Sequence, residues 1–222
     1  MRRNIGIMIG LFFLSGCACT SQIKSSFHPA VDATTQQVIV VEALLKNKFP
    51  AKVYVLERKS QGWRMAFRPM KAVVGRNGVA PEGEKREGDG RTPSGIFSLN
   101  RSFGYATQIE TGLDYAQVTK DDLWIDDPES AQYNQWVKAP TKAKSYEFLH
   151  RKDKLYKLAA VIEYNTAPIV RGNGSAIFLH IWRGRNQSTS GCVALKERDV
   201  RRILKWLDKT RNPQMIIQEA KN

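Results

Sequence analysis

The sequence predicts a mainly β protein with a few helices, an α+β fold. Three observations carry that expectation: short apolar runs with a period of two, a polar turn joining two of them, and one helical stripe near the end. Val53-Tyr-Val-Leu56 and Trp63-Arg-Met-Ala-Phe67 are parted by Lys59-Ser-Gln-Gly62, which reads as a hairpin. Just upstream, residues 36–49 carry Val38, Val41, Leu44 and Leu45 at a spacing that fits a short helix ended by Pro50; residues 38–41 fit a strand as well. Further strands are expected at 70–74, 96–99 and 159–163. Residues 176–182 form an apolar run rich in Ile and Phe, interrupted once by His180, and read as a buried strand. A period of two then puts Phe178, His180 and Trp182 on one face and Ile177, Leu179 and Ile181 on the other. Val200, Ile203, Leu204 and Leu207 recur at helical spacing, with Arg201, Arg202 and Lys205 opposite. Residues 102–156 are the least periodic; their spread aromatics, Trp124, Tyr133, Trp136, Tyr146 and Tyr156, fit a small satellite core under a long loop. Stacking of those rings on sugars is the other reading of the same residues.

Chemistry concentrates in the segment that follows His180. Arg183-Gly-Arg-Asn-Gln-Ser-Thr-Ser190 is too polar to extend the strand, so the chain turns back before Gly191-Cys192-Val193-Ala194-Leu195. The thiolate is the reactive form of cysteine, and a free thiol with a pKa of about 8.5 is mostly protonated at neutral pH, so a neighbouring imidazole is the natural base. Gly191 leaves the backbone beside the sulfur without a Cβ, where amide N–H groups can approach a developing oxyanion. Cys192, His180 and Gly191 are therefore the candidate catalytic residues. Ser190, Arg183, Trp182 and Ser175 are the candidate substrate contacts. Arg183 and Arg185 fit either a bidentate clamp on a substrate carboxylate or solvated loop charges. The loop Gly88-Asp-Gly-Arg-Thr-Pro-Ser-Gly95 is a glycine-punctuated turn and a wall of the cleft. It lacks the Gly-Lys-Ser/Thr ending of a phosphate loop, and Asp89 is expected to cap local amides. No ligand-spaced His and Cys set stands elsewhere, so no metal and no cofactor are expected.

The run from His180 to Leu195, with Thr189-Ser-Gly-Cys-Val-Ala-Leu195, resembles the active-site segment of the L,D-transpeptidase catalytic domain, the YkuD-like family. Lys85-Arg-Glu-Gly-Asp-Gly-Arg-Thr-Pro-Ser-Gly-Ile-Phe97 is similar to that family's Gly-Asp-Gly-x-Thr-Pro-x-Gly-x-Phe segment, and Trp124-Ile-Asp-Asp-Pro128 through Tyr133-Asn134 to the segment between. The three stretches stand in family order over about residues 50–210. Better known members have a second histidine two positions before the cysteine, where this chain has Ser190. The resemblance implies a single β-sandwich catalytic domain over 36–222, with 102–156 as an insertion or flap. It also implies a peptidoglycan-acting cysteine acyltransferase serving cell-wall building and cell shape. In that reading Cys192 forms a thioester with a stem peptide, His180 manages the proton, and an amine or water takes the acyl group. An L,D-carboxypeptidase, a hydrolase of peptide links and a non-catalytic wall-binding lipoprotein are the alternatives on the same scaffold.

Compartment is read from the amino terminus. Arg2 and Arg3 precede an apolar stretch at 5–14, a layout that fits a secretory signal and is too short for a good membrane span. Leu14-Ser-Gly-Cys17 resembles a bacterial lipobox, which implies a signal at 1–16, lipid on Cys17, and a polar tether over 17–35. Ala18 after the lipidated residue implies an outer-membrane, periplasm-facing location. Ordinary cleavage to a soluble periplasmic product is the alternative. The 35 Lys and Arg against 21 Asp and Glu leave a net charge of +14, which favours anionic partners such as stem-peptide carboxylates or a lipid surface. No aromatic-interleaved basic module points to nucleic acid. A monomer is expected.

Overall fold

The computed structural model describes residues 31–46 and 48–220. The expected signal, Cys17 and most of the expected tether lie outside these residues. The chain opens with β1 (Gln37–Ala43) and the hairpin β2 (Pro50–Lys59) and β3 (Gly62–Met65), followed by β4 (Met70–Val73). The hairpin and the third strand stand where the sequence places them. Residues 37–43 are a strand and not a helix. Nearly every side chain of β1 is buried, because it runs between β2 and the last strand with both faces covered. A strand buried on two faces loses its alternation, and the apolar residues left at spacings of three and four then mimic a helix.

Two short strands, β5 (Val79–Ala80) and β6 (Thr92–Pro93), pair in parallel across the glycine-rich loop, and β7 (Gly95–Ser98) follows. The segment marked as a flap divides. Its first part supplies β8 (Arg101–Gly104) and β9 (Asp114–Gln117) to the large sheet. The rest folds into a separate three-stranded sheet from β10 (Asp122–Ile125), β11 (Trp136–Lys138) and β12 (Tyr146–Phe148). Then come β13 (Leu158–Val161), β14 (Phe178–Ile181), β15 (Val193–Leu195), the helix α1 (Glu197–Trp206) and β16 (Gln214–Glu219). Among the described residues the large sheet has eleven strands in the order β7-β16-β1-β2-β4-β15-β14-β13-β8-β9, with β3 beside β2.

Two cores flank β13 and β14. Alternate residues Leu158, Ala160, Ile177 and Leu179 join an aliphatic core closed by Val200, Ile203 and Leu204 of α1. The helix starts with Glu197 and Asp199 in its first turn, carboxylates that suit the positive end of its dipole. The residues between, Ala159, Val161 and Phe178, join an aromatic core with Phe103, Trp124, Tyr156 and Cys192. Trp124 of the small sheet meets Phe178 edge to face at 5.0 Å, so the small sheet is docked onto the large one through this second core. The satellite core expected from the spread aromatics is thus part of the layer over β14.

Candidate active site

Strands β14 and β15 run parallel, with Leu179 opposite Val193 and His180 opposite Ala194. That register sets Cys192 beside Phe178, whose backbone N–H donates to Sγ at 3.4 Å. The thiol in turn donates to the Ala176 carbonyl at 3.2 Å. The period of two holds as expected: Ile177, Leu179 and Ile181 face the aliphatic core, while His180 lies edge-on to Tyr156 at 5.0 Å on the aromatic side. His180 and Cys192 consequently line one cleft of about 210 Å3. Trp182, Arg183 and Ser190 line it too, and so do Arg76, Glu147, Arg151 and Tyr156.

The His180 tautomer follows from its neighbour. Nδ1 lies 2.8 Å from the Ile181 carbonyl, which can only accept, so Nδ1 carries the proton and Nε2 keeps a lone pair. Burial pushes the imidazole down to about 4, against the Ile181 carbonyl, which favours the charged ring. Burial also pushes the Cys192 thiol up to about 12, reinforced by the charge of Glu147 and opposed by the Phe178 N–H and the Tyr156 hydroxyl. The resting pair is therefore a neutral thiol and a neutral imidazole, not a thiolate and an imidazolium.

The turn before Cys192 is tied to the glycine-rich loop. The Cys192 carbonyl accepts from Thr189 Oγ1 at 2.6 Å and from Thr92 Oγ1 at 3.4 Å, and the Gly75 N–H donates to Thr92 Oγ1 at 2.9 Å. Gly191 has φ +157, and a Cβ there would sit 3.0 Å from the Arg91 carbonyl oxygen and 3.2 Å from Ile177 Cδ1. Its own N–H donates to Thr189 Oγ1 at 3.2 Å. Gly191 thus lets the loop backbone pass close behind the nucleophile candidate. Asp89 accepts from the Arg86 and Arg91 amides, both at 2.8 Å, and from Lys85 Nζ at 2.9 Å. Burial alone would raise its carboxyl, and these bonds outweigh burial and hold it below the usual range.

Ser175 does not line the cleft. It is buried behind the cysteine, where its hydroxyl donates to Glu87 at 2.7 Å beside a Tyr133 hydroxyl on the same oxygen. Arg183 sits exposed on the rim and pairs with Asp153 at 2.9 Å, and Arg185 is exposed. Residues the sequence did not single out complete the site. Asn134 accepts from Trp124 Nε1 at 2.8 Å and from the Ala176 N–H at 3.1 Å, and donates to the carbonyls of Tyr164 and Asn165. This side chain fixes Ala176 at φ +53, a left-handed conformation costing a non-glycine residue on the order of 1 kcal/mol, and so aims the carbonyl that holds the thiol. Only the Tyr133-Asn134 pair of the middle motif hinted at Asn134. Nothing local marks Glu147 or Arg151, and Tyr156 stands out in the sequence only as one of the spread aromatics.

The family model for the L,D-transpeptidase catalytic domain (YkuD) matches residues 37–217. Similar solved structures include the helical cell shape determining protein Pgp2 from Campylobacter jejuni and a lysine-to-alanine mutant of it. Each is 16% identical, over 84% of this chain, with TM-scores of 0.42 for the former and 0.43 for the mutant. The chain covers 49% and 48% of those two chains, about half their length. No curated protein matches the sequence.

Proposed function

The chain belongs to the L,D-transpeptidase catalytic domain family, and from that premise we propose that it is a peptidoglycan-acting cysteine acyltransferase with Cys192 as nucleophile and His180 as base. The observation that carries this reading is the placement of both side chains on one face of adjacent parallel strands, lining one cleft. Cys192 Sγ attacks the carbonyl of the third stem residue while its proton passes to His180 Nε2. The D-amino acid then leaves with that proton on its nitrogen, and a thioester remains. Because both partners rest neutral, proton transfer accompanies attack and does not precede it. Gly191 keeps the turn beside Sγ thin enough for neighbouring amides to face the oxyanion. Trp182, Arg183 and Ser190 are the substrate-side contacts, and Ser190 leaves no second imidazole to titrate there. Ser175 acts through Glu87 from behind the site.

Water as acceptor makes the protein an L,D-carboxypeptidase or link hydrolase; an amine makes a cross-link or a protein attachment. In the same proposal Cys17 carries lipid after loss of residues 1–16, and residues 17–35 tether a monomeric domain to the outer membrane on its periplasmic side. The absence of a second histidine at Ser190 and the high-lying thiol favour one further reading, a wall-binding module without turnover. Chromatography of disaccharide tetrapeptides after incubation with the protein separates them. Conversion to tripeptide or to cross-linked dimer, lost in Cys192→Ala, supports the enzyme. Retention of wall binding by both proteins with no product from either supports the binding module.

A further inference from the structure

His180 is not the only proton-bearing group that faces the Cys192 thiol. Tyr156 is buried in the aromatic core, met edge-on by Phe103, Phe178 and His180 at 6.0, 5.5 and 5.0 Å, with the Arg151 guanidinium 5.0 Å above its ring. Its hydroxyl donates to Glu147 Oε2, and the residue shares both the aromatic core and the cleft with Cys192, whose thiolate the phenol favours. Glu147 reaches the same cleft from β12 and lies 3.7 Å from Arg151. The charged and titratable groups that face Glu147 are Arg151, Tyr156, Cys192, Asp126 and Glu87; burial raises its carboxyl and the Asp126 and Glu87 charges add to that, against the Tyr156 hydrogen bond and the Arg151 charge.

We propose, on the footing of the acyl transfer above, that Tyr156 is a further catalytic residue whose hydroxyl donates to Cys192 Sγ whenever the sulfur carries negative charge, and that Glu147 is the positioning residue which frees it to do so. A phenol has one proton to give. With Glu147 ionised, that proton is held by the carboxylate. With Glu147 protonated, the carboxyl donates to the phenol oxygen and the phenol proton turns to the sulfur. In acylation the S–H proton goes to His180 Nε2, the S–C bond forms, and the nitrogen leaves with the proton from His180. In deacylation the water or amine acceptor bonds to the acyl carbon and gives its proton to His180 Nε2, the S–C bond breaks, and the leaving thiolate takes that proton back. Tyr156 keeps its proton throughout and stabilises the sulfur at both ends. The carboxamide of Glu147→Gln also donates to the phenol oxygen, so this variant mimics the protonated acid.

The experiment follows single-turnover acylation by disaccharide tetrapeptide, read by intact mass, alongside the pH dependence of iodoacetamide labelling at Cys192. Tyr156→Phe keeps the ring and its packing. It is expected to slow acylation about 10-fold to 100-fold at unchanged half-saturation, the range for a hydrogen bond to a charged group, and to move the labelling midpoint to higher pH. Glu147→Gln is expected to abolish any fall in rate as Glu147 ionises; a wild-type fall that persists in Glu147→Gln would overturn the positioning role. Tyr156→Phe acylating at the wild-type rate with an unmoved midpoint would overturn the proposal. If the wild type itself forms no adduct, the acyl-transfer reading falls, and the labelling midpoint alone decides: a rise in Tyr156→Phe supports the hydrogen bond and no change overturns it. Should Tyr156→Phe not fold, the pH profiles of wild type and Glu147→Gln carry the prediction: a rate that falls with pH in wild type and not in Glu147→Gln supports it, and the same profile in both overturns it.

Discussion

The two faces of β14 are built from alternate residues of one short strand, yet they pack in opposite ways. Ile177, Leu179 and Ile181 enter a core of Val, Leu, Ile, Ala and Met side chains sealed by α1, with no titratable group among its buried members. Phe178 and His180 enter a core of rings that also holds a thiol and a phenol, with a carboxylate at its edge. The aliphatic face gains free energy simply by leaving water, roughly 0.8 kcal/mol for each buried methylene. The aromatic face forgoes part of that gain. Burial drives His180 and Cys192 each toward its neutral form, which is the sign of groups held where their charged states are disfavoured. In the proposed acyl transfer the reacting groups lie on one side of the strand and the stabilising core on the other, so substitutions on the two sides should separate fold from chemistry.

The largest separation is expected for Cys192→Ala. Product formation from tetrapeptide should fall at least about 10³-fold, the scale of losing a nucleophile, while thermal unfolding holds or improves. Across the strand, Leu179→Ala should do the reverse: a fully buried leucine truncated in a sealed core costs about 2–5 kcal/mol in urea unfolding, with kcat little changed below the melting range. A large loss of kcat in properly folded Leu179→Ala would erase the distinction.

The pH dependence of stability sharpens the same contrast. The folded imidazole binds its proton less readily than the unfolded one, with about 4 against 6.5. Its contribution is therefore intact above pH 6.5 and lost as pH falls toward 4, a difference on the order of 3 kcal/mol. Wild type minus His180→Gln, measured by urea unfolding across that window, should show this loss. The thiol acts at the other end: its folded value of about 12 exceeds the ordinary 9, so stability falls as pH rises from 9 toward 12, and Cys192→Ala removes that slope. Gly191→Ala should cost about 1–3 kcal/mol, because the Arg91 carbonyl 3.0 Å from the new methyl is backbone and cannot swing away. Smallest of all, Arg183→Ala breaks an exposed pair with Asp153 and should change stability by less than about 1 kcal/mol.

The alternation on β14, the hairpin, the terminal helix and the Cys192 turn were legible because each is a local pattern. Strand β1 was legible only as one of two readings, since burial on both faces removes the period that distinguishes strand from helix. The partners of the thiol were not legible. Tyr156 and Glu147 stand 36 and 45 positions before Cys192 on a segment without periodicity; the pairing of β13 with β14 carries the first to the cleft and the small sheet carries the second. Asn134 and the left-handed Ala176 are likewise products of tertiary closure, invisible to any window of sequence. Ser175, expected among the substrate contacts, stands outside the cleft lining and donates to Glu87, a partner 88 positions away that no window of sequence marks.

The most direct test is peptide mapping of the protein after incubation with disaccharide tetrapeptide, with Cys192→Ala and His180→Gln treated in parallel. The account predicts an acyl adduct carried on the peptide that contains Cys192, strongly slowed in His180→Gln and absent from Cys192→Ala. An adduct on another residue, or one that persists in Cys192→Ala, would contradict it.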